Sequence, residues 1–134
     1  DFDQLLERAD FISIHTPLTE DTKNLFGQKA FKQMKPEALL INTARGPLVD
    51  IDALAQALVA GEIAGAALDV LPQEPPPDDC PLFGRDDVIL TPHTGFYSAD
   101  ALLDLQTTVA TDVASVLNGE FPRFPVNPSV RDPQ

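Results

Sequence analysis

A chain of 134 residues, 43% hydrophobic and 22% charged, is long enough for one compact core and falls in the ordinary globular range. Its 21 acidic against 9 basic side chains give a formal net charge of -12, which repels a phosphate backbone and argues against nucleic-acid binding. No apolar run approaches the roughly 18–20 residues of a membrane span, no basic-then-apolar leader opens the chain, and the single Cys80 rules out an internal disulfide and fits a reducing compartment such as the cytoplasm.

The first pattern, Phe2 to Ala9, reads as a helix. With no initiator Met before it, the chain reads as a piece of a longer protein. Four short apolar segments follow: Phe11 to Ile14, Ala38 to Asn42, Gly65 to Val70 and Val88 to Thr91. The last three are near-continuous apolar runs of strand length, as expected for strands of a parallel sheet covered on both faces. Between them, Gln28 to Lys35 reads as a short helix stopped by Pro36. Asp50 to Ala60 reads as a clearer one, with Asp50 or Asp52 as cap, an apolar stripe of Leu54, Ala57 and Leu58, and Gly61 at the stop. The alternation predicts an α/β fold with a doubly wound parallel sheet of about four strands. Leu71 to Asp87, with Pro72, Pro75, Pro76, Pro77 and Pro81, breaks the rhythm and reads as an ordered loop. Ser98 to Asn118 reads as one long helix ended by Gly119, and residues 119–134 as an extended tail.

Ligands of open α/β sheets bind at the carboxyl ends of the strands. His15 and Thr16, Asn42 to Arg45, Asp69, Thr91 and His93 all fall at such ends. Arg45, followed by Gly46-Pro47, is either a salt-bridge partner at a turn or a planar fork for a carboxylate. His93 and Glu74 are by themselves ordinary polar loop residues. As neighbours at one sheet edge they form a dyad, in which the carboxylate fixes the imidazole as a general acid/base. His15 has no evident charged partner and reads as structural or as a support behind the site residues. Cys80 lies in an acidic loop without the positive setting that activates a thiolate. Two His and one Cys show no metal-ligand spacing, and neither G-x-G-x-x-G nor G-x-x-x-x-G-K-[ST] occurs.

Taken in order, His15-Thr16-Pro17-Leu18-Thr19, Met34-Lys35-Pro36, Leu40 to Gly46, Leu48-Val49-Asp50, Gly65 to Val70, Glu74-Pro75 and Thr91 to Gly95 resemble the D-isomer-specific 2-hydroxyacid dehydrogenases over residues 5 to 128. The stretch His93 to Ser98, with Asp69 to Pro72, resembles the branch that holds the C-terminal-binding-protein corepressors and phosphoglycerate dehydrogenase-like enzymes. The resemblance implies a Rossmann-like nucleotide-binding domain whose first βαβ unit, and a separate substrate domain, precede this chain. It implies that Arg45 binds the substrate carboxylate, that His93 is the acid/base and that Glu74 tunes His93. It further implies that Thr16, Pro17, Leu18, Thr22, Thr43, Ala44, Arg45, Asp69, His93 and Gly95 line the cofactor. On the same ground residues 1–118 are the C-terminal half of the NAD(P)-binding domain with its return helix. The expected cofactor is NAD, with NADP left open because the discriminating residue would precede the chain.

The expected activity is hydride transfer between NAD(P)H and a small 2-keto or 2-hydroxy acid of D configuration, in a homodimer. The piece alone is expected to be inactive and, with its first strand an uncovered edge, to self-associate. Two other readings stand beside this one: a dinucleotide-sensing, corepressor-like binding module without significant catalysis, and a structural α/β domain.

Overall fold

The computed structural model describes residues 1–127. They divide into two compact units, Asp1–Gly95 and the segment that begins at Phe96.

The first unit contains a four-stranded parallel sheet made of β1 (Phe11–Ile14), β2 (Leu39–Asn42), β3 (Gly65–Leu68) and β4 (Val88–Leu90), in the order β1-β2-β3-β4. Helices α1 (Phe2–Arg8), α2 (Gln28–Gln33) and α3 (Ile51–Ala60) lie alongside one another. The strand order runs in one direction without reversing. Right-handed crossovers therefore place the intervening helices on one and the same face of the sheet. Burial follows that geometry, because side chains alternate across a strand. Ile12, Ile14, Leu40, Ala66 and Leu68 point inward and share one core with Leu6, Phe31, Leu54 and Leu58. On the other face Phe11 and Ile89 are exposed and Leu39, Ile41 and Ala67 are half-buried. The second helical layer expected of a doubly wound sheet does not come from residues 1–95; it requires a reversal of strand order.

The sequence reading matches these elements within a few residues. Each strand runs one or two residues shorter than its apolar run, except β1, which coincides with it. The α3 cap is Asp50, whose carboxylate accepts from the Ala53 amide, and the helix ends at Gly61 in the left-handed conformation, φ 69°. A 3-10 turn, Gly46–Leu48, was not expected; Pro47 supplies a φ suited to it. Residues 71–87 form the predicted irregular loop, and β1 lies at the predicted sheet edge.

In the second unit, α4 (Ala99–Leu117) is capped by Ser98, whose hydroxyl accepts from the Ala101 amide. None of its residues is buried, and its apolar stripe of Leu105, Val109, Val113 and Val116 is exposed. The segment from Gly119 to 127 carries no regular element, and the rest of the expected tail, residues 128–134, lies outside the described residues.

Candidate active site

The loops that follow the four parallel strands emerge at one edge of the sheet. After β4, Thr91-Pro92-His93-Thr94-Gly95 makes a tight excursion with His93 in the left-handed region, φ 54°. Non-glycine residues adopt that conformation uncommonly, so the surrounding contacts must hold it. Asp69, directly after β3 and only 7% exposed, provides them. Its Oδ1 accepts from the Thr91 hydroxyl and from the Thr94 amide at 2.9 Å, and its Oδ2 accepts from the Gly95 amide at 2.8 Å. The His93 amide in turn donates to the Asp69 carbonyl at 2.9 Å. Hydrogen bonding from Thr91, with the two amides and the charge of His93, holds the Asp69 carboxyl below the usual aspartate range against the opposing effect of burial.

The turn delivers the His93 imidazole to Glu74: Nδ1 lies 2.7 Å from Oε2. The other oxygen of Glu74 accepts from the Leu71 amide at 2.9 Å, so the carboxylate is anchored at both ends. The bond to His93, followed by that from Leu71, lowers the Glu74 pKa and keeps the group ionised near neutrality. An ionised Glu74 requires Nδ1 to be the donor, which makes Nε2 the acceptor nitrogen of the neutral ring. Asp69, Glu74 and His93 border a cavity of about 370 Å³ whose remaining walls include Leu71, Phe83, Leu90 and Pro92.

Arg45 belongs to a second, open cavity of about 620 Å³, lined also by His15, Thr16, Pro17, Leu18 and Ala44. Its guanidinium is exposed, and Nη1 donates to the Ala44 carbonyl at 2.7 Å. The loop beyond Pro17 is closed by Thr22, whose hydroxyl donates to the Pro17 carbonyl at 2.8 Å and accepts from the Thr19 amide at 2.7 Å. His15 Nε2 meets the Ser13 hydroxyl at 2.7 Å, a local pairing of the kind expected for a structural histidine.

Two close approaches tie the cavities together. A Cβ on Gly46 would stand 2.0 Å from the Leu71 carbonyl carbon, so the residue after Arg45 packs bare against the backbone that anchors Glu74. A Cβ on Gly95 would stand 2.9 Å from Asp69 Oδ2 and 3.9 Å from Thr43 Cβ, which brings the β2 and β4 loops side by side. All the residues named from the sequence therefore sit along one edge, in two groups. Thr16, Pro17, Leu18, Ala44 and Arg45 share one cavity; Asp69, Glu74 and His93 share the other. Thr43 and Gly95 lie at their junction, and Thr22 supports the first from within its own loop. Sequence reasoning missed Asn42 as more than a strand end. It is fully buried and shapes the Arg45 loop, and a polar residue ending an apolar run was the available signal. Among the described residues no group of three or more His, Cys, Asp or Glu is placed to hold a metal ion, and no helix is long and apolar enough to cross a membrane.

The family profile described as D-isomer specific 2-hydroxyacid dehydrogenase, NAD binding domain, matches residues 1–95. Among curated proteins, a glyoxylate reductase of Thermofilum pendens is 47% identical over 130 residues, 97% of this chain and 38% of its own length. The chloroplastic D-3-phosphoglycerate dehydrogenase 2 of Arabidopsis thaliana is 43% identical, over 99% of this chain and 21% of its own length. Among solved structures, the NAD-complexed D-isomer specific 2-hydroxyacid dehydrogenase of Lactobacillus delbrueckii ssp. bulgaricus superposes with a TM-score of 0.86 at 41% identity, covering 95% of this chain and 43% of that one. The chain thus spans about two-fifths or less of the length of these relatives. With that profile over most of its length and the motif residues gathered at one sheet edge, the chain belongs to the D-isomer specific 2-hydroxyacid dehydrogenase family, within its NAD binding domain.

Proposed function

We propose that the protein carrying this chain is an NAD-dependent oxidoreductase that interconverts a small 2-keto acid and its D-2-hydroxy acid. The observation that carries this reading is the Glu74–His93 pair, 2.7 Å apart, with the carboxylate anchored on its other side by the Leu71 amide. An acid/base gains a defined tautomer and a defined direction for Nε2.

Residues at the open cavity fit the nicotinamide end of the cofactor. Short and apolar side chains of Thr16, Pro17, Leu18, Thr43 and Ala44, with Gly95 at the junction, leave room for a flat ring, and Thr22 stiffens the loop beneath. When bound, the nicotinamide supplies the hydride. In the reduction, Arg45 holds the substrate carboxylate with its planar fork and fixes the orientation of the adjacent carbonyl. His93 Nε2 donates a proton to the keto oxygen, so that carbon gains hydride and oxygen gains a proton. Glu74 accepts from Nδ1 throughout and keeps the ring oriented. In the oxidation His93 takes the proton back. Asp69 acts mainly through the His93 turn, which its carboxylate holds in place.

Relatives named for glyoxylate and phosphoglycerate, and solved relatives named for D-lactate, support a small 2-keto acid as the substrate class. The same reading carries a cytoplasmic setting, consistent with the single, buried Cys80, and a homodimer. The test is NADH oxidation by the full-length protein with glyoxylate, hydroxypyruvate and bulkier 2-keto acids. Replacing His93 by Ala is expected to lower kcat by roughly 10²–10⁴-fold with NADH affinity retained. NADH binding with no keto-acid reduction would instead favour the dinucleotide-sensing module.

A further inference from the structure

Asn42 is the last residue of β2 and has no exposed surface. In the sheet register it lies between Ile14 and Leu68, on the inward face that the core otherwise fills with apolar side chains. Burying an amide among such neighbours is unfavourable unless its donor and acceptor are both met. Both are met by the loop that presents Arg45. Oδ1 accepts from the Ala44 amide at 3.0 Å, and Nδ2 donates to the Arg45 carbonyl at 3.0 Å. The Arg45 guanidinium leans on the peptide group between these two, Nη1 donating to the Ala44 carbonyl at 2.7 Å. The backbone carbonyl of Asn42 accepts from the Asp69 amide at 2.9 Å, which ties the turn to β3.

We propose that Asn42 is the positioning residue of Arg45: its buried amide folds the Thr43–Arg45 turn and thereby sets where the exposed guanidinium stands. The inference rests on the functional reading above, in which Arg45 receives the substrate carboxylate. An apolar residue of similar size would suit the core as well, but it would leave the Ala44 amide and the Arg45 carbonyl without their partner. An unheld turn lets the guanidinium sample many positions, and a bidentate contact is lost when its fork is misaligned.

The experiment uses the full-length protein with Asn42→Ser and Asn42→Leu. The first shortens the side chain and the second matches its volume without its polar atoms. For each variant, KM for the best keto acid, Ki for oxamate as a carboxylate probe and Kd for NADH are measured, alone and combined with Arg45→Ala. The expected result is a rise of about tenfold or more in KM and in oxamate Ki, with NADH Kd held within about threefold. In the Arg45→Ala background neither substitution adds a further rise, because the residue acts through Arg45. Relaxation of the Arg45 Nε–H, read by NMR, should show an order parameter falling below about 0.6 in the variants. Unchanged KM and Ki, equal effects with and without Arg45, or loss of NADH binding in both variants overturns the proposal; the last assigns Asn42 to stability alone. Should the unsubstituted protein reduce no keto acid, the functional reading fails, and the Arg45 relaxation alone decides whether Asn42 positions it.

Discussion

Asp69 illustrates how a single carboxylate organises a loop. Three donors from Thr91, Thr94 and Gly95 converge on it, and His93, caught between them, takes a backbone conformation that a free loop would seldom hold. Because hydrogen bonding lowers its pKa in the folded chain, Asp69 contributes stability that is fully present above its unfolded value of 3.8 and is lost as pH falls through the folded value. Glu74, lowered by His93 and by the Leu71 amide, acts with the same sign. Urea unfolding followed from pH 7 to pH 3 should therefore show a steady loss of stability in acid. Asp69→Asn should start less stable at pH 7 and show a shallower loss below pH 4. Parallel curves for the two proteins would contradict the clamp.

Between elements, the decisive contact is that of Gly46 with the loop after β3. A methyl group added at Gly46 would stand 2.0 Å from the Leu71 carbonyl carbon, so any side chain there must push two backbone segments apart. Gly46→Ala should cost about 2 kcal/mol or more in denaturant unfolding. It should also weaken substrate binding, since Arg45 precedes the contact and Glu74 is anchored on the far side of it. Wild-type stability in this variant would mean the two loops part without cost. The elements themselves were largely legible from sequence, because apolar periodicity, the Asp50 and Ser98 caps and the Gly61 stop are local signals. Strand ends were overestimated by a residue or two. Apolarity continues past the last paired residue wherever the following loop is itself buried, as at Val70.

For the molecule as a whole, the monotone strand order leaves a second apolar face of the sheet partly exposed and both edge strands, β1 and β4, without an outer neighbour among the described residues. The sequence holds no glycine-rich phosphate loop, and in the function proposed above the residues at the open cavity serve only the nicotinamide end of a dinucleotide. The 134-residue chain expressed alone is thus expected to show no keto-acid turnover, and to bind NADH more weakly than the full-length protein in a fluorescence titration. Turnover by the chain alone would mean that the anion site is built here after all.

The sequence by itself determined the α/β alternation, and it pointed to the strand ends and to Arg45, Glu74 and His93 as candidates for the chemistry. Those follow from side-chain type and local spacing, which are properties of short segments. Only the tertiary structure decided the geometry by which the expected Glu74–His93 pair meets, and that Asp69 spends its oxygens on the His93 turn. Residues 19 to 26 positions apart were brought together by the register of parallel strands and by glycines that let backbones touch. Such contacts depend on how crossovers return the chain to the sheet, and no local pattern encodes that distance.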